Sequence, residues 1–396
     1  MPIPTPFHSR TSELCYSLNW KEWAGYYTVS SYETSHDSEY YALRHSAGLI
    51  DVSPLFKYEV HGPDAAAFLS RLTVKNLHKL KVGRVTYLCW CDDEGKVIDD
   101  GTVSCLDENY FRVTSAEPSL SWFDRQSRGY NVTIEDSSAR IAALSLQGPT
   151  SREILRSVVN TDMDALRFFG TVRCRLDATQ VWISRTGYTG DLGYEIWVDS
   201  RHAERLYDSI MEAGRPYDLL PCGLDAMDVT RIEAGFIMNG VDYYSANHCL
   251  IEEQKNSPYE LGLGWAVQLD REPFTGQAAL RKENAAGSKR LFVGLDVAWG
   301  EVEAAFDKFD LPPDLPAHVW RDGRPIYDEN QNWIGQATSG VWSPTLKKNL
   351  ALAQVAAPFA KVGTRVQFEI TVEYRRQVVG ATVVTTPFFN PPRKRS

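Results

Sequence analysis

Hydrophobic positions recur at helical spacing in four segments of the chain and alternate, as in strands, over much of the rest. The helical segments are residues 37–48, 150–159, 202–214 and 223–236. Strand-like alternation occurs at residues 56–60, 87–113, 141–148 and 172–190, and again after about residue 275. Apolar positions spaced by a helical turn predict amphipathic helices, and strict alternation predicts half-buried strands. Helices mixed with separate runs of strands indicate an α+β protein of several domains.

Charge and hydropathy exclude several classes of function. The chain has 396 residues, and 42 Lys and Arg stand against 51 Asp and Glu, giving a formal net charge of −9. Because phosphate groups are bound by concentrated positive charge, we expect no nucleic-acid partner and no anionic membrane partner. The chain has no run of about 18 apolar residues, and its N-terminus lacks the apolar core of a signal peptide. A cytoplasmic enzyme is therefore expected.

The residues that most often bind metals or form disulfides show no pattern of their own. The 7 cysteines are scattered without a CxxC pair, and the 8 histidines have no ligand spacing. We therefore expect a reducing compartment and no metal. Phosphate-binding glycine loops and the G-x-S-x-G motif are also absent, so nucleotide and serine-hydrolase mechanisms have no support.

Three segments stand out against this background. Asp99 and Asp100 enter a predicted strand within residues 97–101. Since neighbouring strand residues point to opposite faces, only one of the two carboxylates can face a cavity. A glycine-rich loop at residues 184–195 joins two strand-like runs, and residues 336–346 form a polar loop. Each segment alone is explained as a turn, a hairpin or a plain connection.

Taken together, these segments and their order resemble the family of the glycine-cleavage T-protein, which comprises tetrahydrofolate-dependent aminomethyltransferases and their demethylase relatives. The matching segments are GLIDVSPL (48–55), GKVIDDG (95–101), LQGP (146–149), SRTGYTGDLGYE (184–195), RIEAGFIMNGVD (231–242) and TSGVWSPTL (338–346). The resemblance implies three α+β domains arranged like a clover leaf around a central folate channel. It suggests a discontinuous first domain and two further ones, with limits at residues 1–52 plus 141–255, 53–140 and 256–396.

The resemblance also implies roles for individual residues. Asp100, and not Asp99, would lie near the reactive nitrogens of tetrahydrofolate and would share proton handling with Tyr188. Glu195 would bind the amino group and the ring N–H of the pterin, since a carboxylate accepts two parallel N–H bonds. The complete predicted folate-binding set is Tyr87, Thr114, Tyr188, Glu195 and Arg231.

Three features depart from the T-protein pattern. Met227 stands where T-proteins carry an arginine. Thr114 belongs to a segment in which the asparagine of the T-protein motif is replaced. The loop at residues 243–258 is several residues longer than the corresponding T-protein loop. Methionine cannot replace the fixed cation of an arginine. We interpret the three changes together as adaptation to a one-carbon donor other than a lipoyl-carried aminomethyl group.

Aromatic residues are the candidates for binding this donor. The predicted substrate-binding residues are Trp23, Tyr26, Tyr27, Tyr243 and His248. Aromatic walls suit an aryl methyl ether, by stacking, and equally an onium compound, by cation–π attraction. The sequence does not choose between these two donor classes.

The sequence thus predicts a tetrahydrofolate-dependent demethylase. It would move a methyl or methylene group from a small methylated O-, N- or S-compound to tetrahydrofolate, with no lipoyl carrier protein. One alternative is a glycine-cleavage aminomethyltransferase, which needs that carrier. Another is a folate-binding assembly protein without transfer activity, against which the intact block from Tyr188 to Glu195 argues.

Overall fold

The computed structural model describes residues 1–396 and has the α+β fold that the sequence predicts. The helices α1 to α9 are His8–Leu14, Asp37–His45, Ala65–Leu72, Leu120–Gln126, Ser151–Val158, Ala203–Gly214, Leu224–Glu233, Gln277–Ala286 and Trp299–Asp307. The strands β1 to β10 are Ile3–Pro4, Asn19–Trp23, Tyr26–Ser31, Ala47–Asp51, Phe56–His61, Arg84–Cys91, Val97–Asp107, Tyr110–Ser115, Thr133–Asp136 and Ile141–Gln147. The strands β11 to β20 are Thr171–Leu176, Thr179–Ser184, Gly193–Asp199, Leu219–Pro221, Arg290–Val297, Arg324–Tyr327, Trp333–Ser343, Lys348–Ala356, Arg365–Val372 and Arg375–Val384. None of the helices is long and apolar enough to cross a membrane.

One sheet has six strands in the order β11-β12-β13-β10-β4-β14. Its strands pair antiparallel except β4 and β14, which are parallel. The central strand β10 is buried at every position, and α5 and α6 pack on the sheet with Ile154, Leu155, Leu206 and Ile210 in its core. The glycine-rich loop joins β12 to β13 at the edge of this core.

A second sheet has five strands in the order β6-β7-β8-β5-β9. Its strands β6, β7 and β8 form the antiparallel meander predicted for residues 87–113. The largest hydrophobic cluster, with 27 buried residues, lies between this sheet and helices α3 and α4 and includes Phe68, Trp90 and Phe123. Strand β7 carries both Asp99 and Asp100.

Six C-terminal strands close a barrel in the order β15-β18-β17-β16-β19-β20. The prediction of a polar loop at residues 336–346 is wrong, because residues 333–343 form strand β17. Its serines look like loop residues but are buried, and Ser339 and Ser343 donate hydrogen bonds to Asp242 and Glu233. Buried polar groups need such partners, and these partners lie more than ninety residues away in sequence, where no local pattern reveals them.

The predicted helix at residues 37–48 is shorter in the structure. It ends at His45, and residues 47–51 form β4 instead. A Cβ atom at Gly48 would lie 2.5 Å from Cys222 Sγ and 2.6 Å from Leu43 Cδ2, so this glycine lets β4 pass close to α2. All seven cysteines are free thiols. The domain limits suggested by the sequence stay a prediction.

Candidate active site

Asp100 lies on β7 between two tyrosine hydroxyls. Tyr87 of β6 donates to Oδ2 at 2.6 Å, and Tyr243 donates to Oδ1. At the next position, Gly101, a Cβ atom would lie 1.9 Å from the carbonyl oxygen of Thr114, so glycine is required for β8 to pass beside the carboxylate. Two donors from separate parts of the chain thus fix the orientation of Asp100.

The neighbouring Asp99 is fully buried, and both oxygens of its carboxylate accept hydrogen bonds from other groups of the protein. Its Oδ2 accepts the backbone N–H groups of Ala116 and Glu117, each at 3.0 Å, and its Oδ1 accepts the side-chain amide of Asn239 at 2.9 Å. Asp99 therefore fixes the turn after β8 and the segment after α7. Asp100 is the carboxylate of the two that keeps an accessible face.

The surroundings of the two carboxyl groups shift their proton affinities. Burial raises the pKa of both Asp99 and Asp100, while the Tyr243 and Tyr87 hydroxyls oppose this rise at Asp100 by stabilising its charged form. Burial and the Asp100 charge raise the pKa of both tyrosines, so they remain protonated donors. Because adjacent carboxyls titrate as a unit, this pair is suited to take up one proton.

Tyr188 reaches the same site from the glycine-rich loop. Its hydroxyl donates to the carbonyl oxygen of Ile237, and its ring stacks on Phe236 with 5.5 Å between the ring centroids. Burial raises the pKa of Tyr188, with Arg231 acting against the rise. Tyr188 also packs against the hydrophobic cluster that contains Met227, which is 7% exposed. The surroundings of Met227 are therefore apolar.

Glu195 lies on β13 and has its own partners. Thr186 donates to its Oε2, and the Thr186 hydroxyl is also 2.9 Å from that of Ser184. Burial raises the pKa of Glu195, and these two hydroxyl groups partly offset the rise. No nitrogen of the protein donates to this carboxylate. Its remaining lone pairs are suited to accept N–H groups of a planar ligand.

Two of the predicted folate-binding residues lie behind the site. Arg231 is fully buried and donates to Asp228 at 2.7 Å and to Asp242 at 2.6 Å, although its Nη2 has no partner. The Thr114 hydroxyl is 2.7 Å from that of Thr102 on the adjacent strand. Both residues support the walls of the site, and their contact with folate stays a prediction.

The N-terminal aromatic residues are not all brought to the same place. Trp23 packs against the cluster that also contacts Tyr188. Tyr26 faces Asp136 and Asp51, whose charges add to burial in raising the pKa of this tyrosine. Tyr27 is 37% exposed and lines a small cavity that also contains Asp51. Trp23 thus packs on the same cluster as Tyr188, whereas Tyr26 and Tyr27 lie towards Asp51.

The loop at residues 243–258 is anchored on β7. The backbone N–H of Ala246 donates to the carbonyl oxygen of Val97 at 2.9 Å, and the N–H of Val97 donates to the carbonyl oxygen of Asn256 at 2.8 Å. Tyr243 at its start is buried against Asp100, whereas His248 in its middle is exposed and lies 3.2 Å from Glu117. The loop therefore has one end inside the site and its middle at the surface.

Sequence reasoning missed part of the site wall. The ring of Trp265 stacks near Tyr87 with 6.3 Å between centroids, and Lys75 Nζ lies 4.6 Å from the Trp265 ring. Trp265 is 65% exposed, although it is a large aromatic residue. It belongs to GLGWAV, a segment that resembles an incomplete dinucleotide motif, and no local pattern links it to Tyr87. Asn239 lies inside the segment at residues 231–242 that resembles a T-protein motif, and this resemblance is the sequence feature from which its place at the site could be predicted.

The two large sheets, the closed barrel and this site together define a family of one-carbon transferases. The family described as "GCVT N-terminal domain" matches residues 12–271, and the "Glycine cleavage T-protein C-terminal barrel domain" matches residues 309–390. The chain therefore belongs to the glycine-cleavage T-protein family. The aminomethyltransferase T of the glycine cleavage system from Bartonella henselae has the same fold, with a TM-score of 0.83 at 23% identity over 98% of this chain and 99% of the other.

Curated relatives carry two kinds of name. An aminomethyltransferase from Caldanaerobacter subterraneus is 34% identical over 363 residues, covering 90% of this chain and 89% of the relative. The Bacillus subtilis aminomethyltransferase is also 34% identical, over 90% of this chain and 91% of that protein. A trimethylamine-oxide aldolase from Ruegeria pomeroyi is 33% identical over all of this chain, which spans 48% of that longer protein.

The chain is thus a folate-dependent transferase, and the enzymes of its family use tetrahydrofolate as the one-carbon acceptor. The residues present fit this ligand. Glu195 keeps lone pairs for N–H donors, Asp100 keeps an accessible face, and aromatic rings from Tyr87 and Tyr188 lie nearby. The assignment of individual residues to parts of the folate stays a prediction.

Proposed function

We propose that this protein is a tetrahydrofolate-dependent demethylase, which moves a methyl or methylene group from a small methylated O-, N- or S-compound to tetrahydrofolate. The observation that carries the proposal is the hydrogen bond from Tyr243 to Asp100. Tyr243 begins the loop whose length departs from the T-protein pattern, and Asp100 is the carboxylate that the pattern assigns to the reacting nitrogens. The loop that differs from the T-protein pattern therefore contacts the carboxylate proposed to act on the reacting groups.

Asp100 is the residue proposed to act on the reacting groups. Tetrahydrofolate supplies the nucleophilic nitrogen, and Asp100 offers a negative charge in a poorly solvated place. A fixed charge in such a place stabilises a positive charge that develops or persists on a reacting methylated nitrogen or sulfur. Burial also raises its pKa, so Asp100 accepts a proton more readily than an exposed carboxylate does. Tyr87 and Tyr243 keep it in one orientation.

Tyr188 has a more limited role in this proposal. Its proton is engaged by the carbonyl oxygen of Ile237, and its raised pKa keeps that proton on the phenol. We infer that Tyr188 mainly forms a wall of the folate site, while Asp100 handles the proton. Glu195 then anchors the pterin, and Arg231 and Thr114 hold the neighbouring backbone.

The surroundings of Asp100 favour a cationic or protonatable donor. Met227 gives the cluster beside Tyr188 no cation where the T-protein pattern has an arginine, and the rings of Trp23 and Tyr188 pack on this cluster. An onium group is attracted both by a carboxylate and by aromatic faces. One relative, the trimethylamine-oxide aldolase, is named after a methylated nitrogen compound, which is consistent with such a donor.

A second candidate function is that of a glycine-cleavage aminomethyltransferase working with a lipoyl carrier protein. It is favoured by the names of several relatives that cover about nine-tenths of this chain. The folate site described above serves both functions equally. The two candidates differ in the donor, so the test has to vary the donor.

The test is a donor panel. The enzyme is incubated with tetrahydrofolate and ¹³C-methyl-labelled aryl ethers, betaines, sulfoniums, amines and amine oxides, and labelled 5-methyl- or methylene-tetrahydrofolate is measured by mass. We expect label transfer from at least one onium or amine donor, and its loss in Asp100→Asn. A panel without label transfer, combined with turnover of an aminomethylated lipoyl carrier protein, would establish the second candidate instead.

A further inference from the structure

A cluster of three potential metal ligands lies outside the folate site. His36 precedes α2, Asp225 lies in the first turn of α7, and His318 belongs to the irregular segment between α9 and β16. One ligand atom from each of the three lies within 4.8 Å of the other two. No local sequence pattern indicates this cluster, because at least 93 residues of sequence separate any two of its members.

His36 is the most informative of the three residues. Its side chain is 97% buried, being 3% exposed, and its Nδ1 has no hydrogen-bond partner. A ring nitrogen that has no partner within the protein is available to a ligand. A buried polar atom without a partner otherwise costs stability.

Asp225 and His318 complete the cluster from two sides. His318 Nδ1 lies 4.0 Å from Asp225 Oδ2, and the two imidazole rings are 4.8 Å apart between centroids. Lys21 forms an ion pair with the other oxygen, Oδ1, so Oδ2 remains free. The His318 side chain is 71% exposed, so it lies at the surface of the cluster.

The cluster borders a cavity of about 360 Å³. Asp225 and His318 line it together with Lys21 and Arg321. This volume gives room for water or a small anion as a further ligand. Three protein ligands with an open position are typical of zinc sites that bind an exchangeable ligand, whereas closed structural sites use four.

We propose that His36 Nδ1, Asp225 Oδ2 and His318 bind a divalent transition-metal ion such as Zn²⁺, with an open position facing the cavity. Imidazole and carboxylate ligands are those that Zn²⁺ and its neighbours prefer. The ion joins helices α2 and α7 to the segment that leads into the barrel. It thereby orders residues 311–322 against the N-terminal part of the chain.

The site is separate from the folate site but shares helix α7 with it. Asp228, one turn after Asp225, binds both Arg321 from the cavity wall and Arg231. Arg231 in turn binds Asp242. The proposed ion and Arg321 therefore border the same cavity, and from Arg321 a chain of ion pairs runs through Asp228 and Arg231 to Asp242.

The test is metal binding by the full-length protein. Chelator-treated protein is titrated with ZnCl₂ by calorimetry, and Co²⁺ is added separately so that the absorption of a tetrahedral site can be read. We expect one equivalent of metal and a thermal midpoint that rises with Zn²⁺. His318→Ala should weaken binding by more than about 100-fold, since even outer partners of metal ligands account for about 10–100-fold.

The controls separate this site from adventitious binding. His78→Ala removes an exposed histidine elsewhere on the surface and should bind metal like the wild type. Asp225→Asn should lose binding while remaining folded, because the amide has nearly the same size as the carboxylate and the residue lines the cavity. The proposal is overturned if the wild type binds no stoichiometric metal, or if His318→Ala binds as tightly as the wild type.

Discussion

Asp99 and Asp100 are neighbours whose side chains have opposite tasks. Asp99 is enclosed by donors from two backbone amides and Asn239, and it acts as part of the scaffold. Asp100 is held only by tyrosine hydroxyls, and these leave one face accessible. At the scale of single residues, strand alternation is therefore what separates a structural carboxylate from the candidate catalytic one.

The first prediction follows from this separation. Asp100→Asn should keep the fold and lower the rate of one-carbon transfer by about 100-fold or more, which is the usual contribution of a positioned acid or base. Asp99→Asn should instead lower the free energy of unfolding by about 1–3 kcal/mol, because an amide cannot accept all of its donors. Turnover and urea denaturation of both variants give the comparison. A larger loss of turnover in Asp99→Asn, at equal folded fraction, would contradict the assignment.

Glu195 gives a prediction on binding alone. In Glu195→Gln, one acceptor oxygen becomes a donor that faces the N–H groups of the pterin, while Thr186 keeps its partner on the other oxygen. Affinity for tetrahydrofolate should fall about tenfold or more, equivalent to about 1.4 kcal/mol. Calorimetry on the folded variant measures it, with Glu153→Gln on the exposed part of α5 as the matched control. Equal affinity in both variants would exclude Glu195 as the pterin anchor.

At the scale of elements, the sequence predicts the helices and strands that have a regular pattern of hydrophobic residues. It does not predict those whose polar residues bind groups far away in sequence. The meander β6 to β8 and the helices α5, α6 and α7 follow from periodicity. Strand β17 has the polar composition of a loop, because Ser339 and Ser343 bind carboxylates on another part of the chain. Asp100, Tyr188 and Glu195 were found through a resemblance of motifs. Trp265 was not found, because its place beside Tyr87 exists only in the folded chain.

The contact between β7 and β8 depends on a single glycine. A Cβ atom at Gly101 would lie 1.9 Å from the Thr114 carbonyl oxygen, so Gly101→Ala has to push the two strands apart beside Asp100. We expect a loss of about 1–3 kcal/mol in the free energy of unfolding, as for other overpacked sites, together with a loss of activity. Gly300→Ala in α9 is the control, since a Cβ atom there meets nothing within 4 Å. Equal stability of both variants would contradict this account.

Strand β5 makes stability depend on pH through a buried lysine. Lys57 is fully buried against the carbonyl oxygens of Ser53 and Ser138, and burial lowers its pKa from 10.5 to about 7. The unfolded chain then holds a proton that the folded protein has released, so stability rises with pH above about 7. One such proton contributes a slope of up to about 1.4 kcal/mol per pH unit.

Lys57→Met isolates this contribution. Between about pH 7 and 8, tyrosines and most thiols stay protonated in both states, so they add little to the slope. Denaturation at several pH values should show a rise in stability for the wild type that is weaker in Lys57→Met. Parallel pH profiles for the two proteins would show that Lys57 keeps its proton when folded.

At the scale of the whole molecule, two buried carboxylates tie the barrel to the rest of the chain. Glu233 at the end of α7 accepts hydrogen bonds from Tyr40, Arg44 and Ser343. Asp242 accepts from Arg231, Thr338 and Ser339. The first set combines two residues of α2 with a residue of β17, and the second combines Arg231 of α7 with two residues of β17. The segments that resemble T-protein motifs therefore bind one another, and this assembly holds the backbone behind Tyr188.

The last prediction concerns what this assembly admits to the site. The Tyr243 hydroxyl donates a hydrogen bond to one carboxylate oxygen of Asp100. The loop that begins at Tyr243 is fastened to Val97 by backbone hydrogen bonds at Ala246 and Asn256. We expect a loop fastened in this way and closed by Tyr243 to admit a small free donor and to obstruct a lipoyl arm. Mixed with tetrahydrofolate and aminomethylated lipoyl carrier protein, the enzyme should release ammonia far more slowly than it demethylates its own donor.

The matched variant shortens the loop by removing residues 248–253 and joining its fastened ends, which leaves Tyr243, Ala246 and Asn256 in place. If the loop excludes the carrier, this variant should gain carrier-dependent release of ammonia and keep its affinity for tetrahydrofolate, because Glu195 and Tyr188 are unchanged. Carrier turnover by the unaltered enzyme at about 1–10³ per second, the ordinary range for enzymes, would refute the exclusion. It would also make the aminomethyltransferase function the better account of this site.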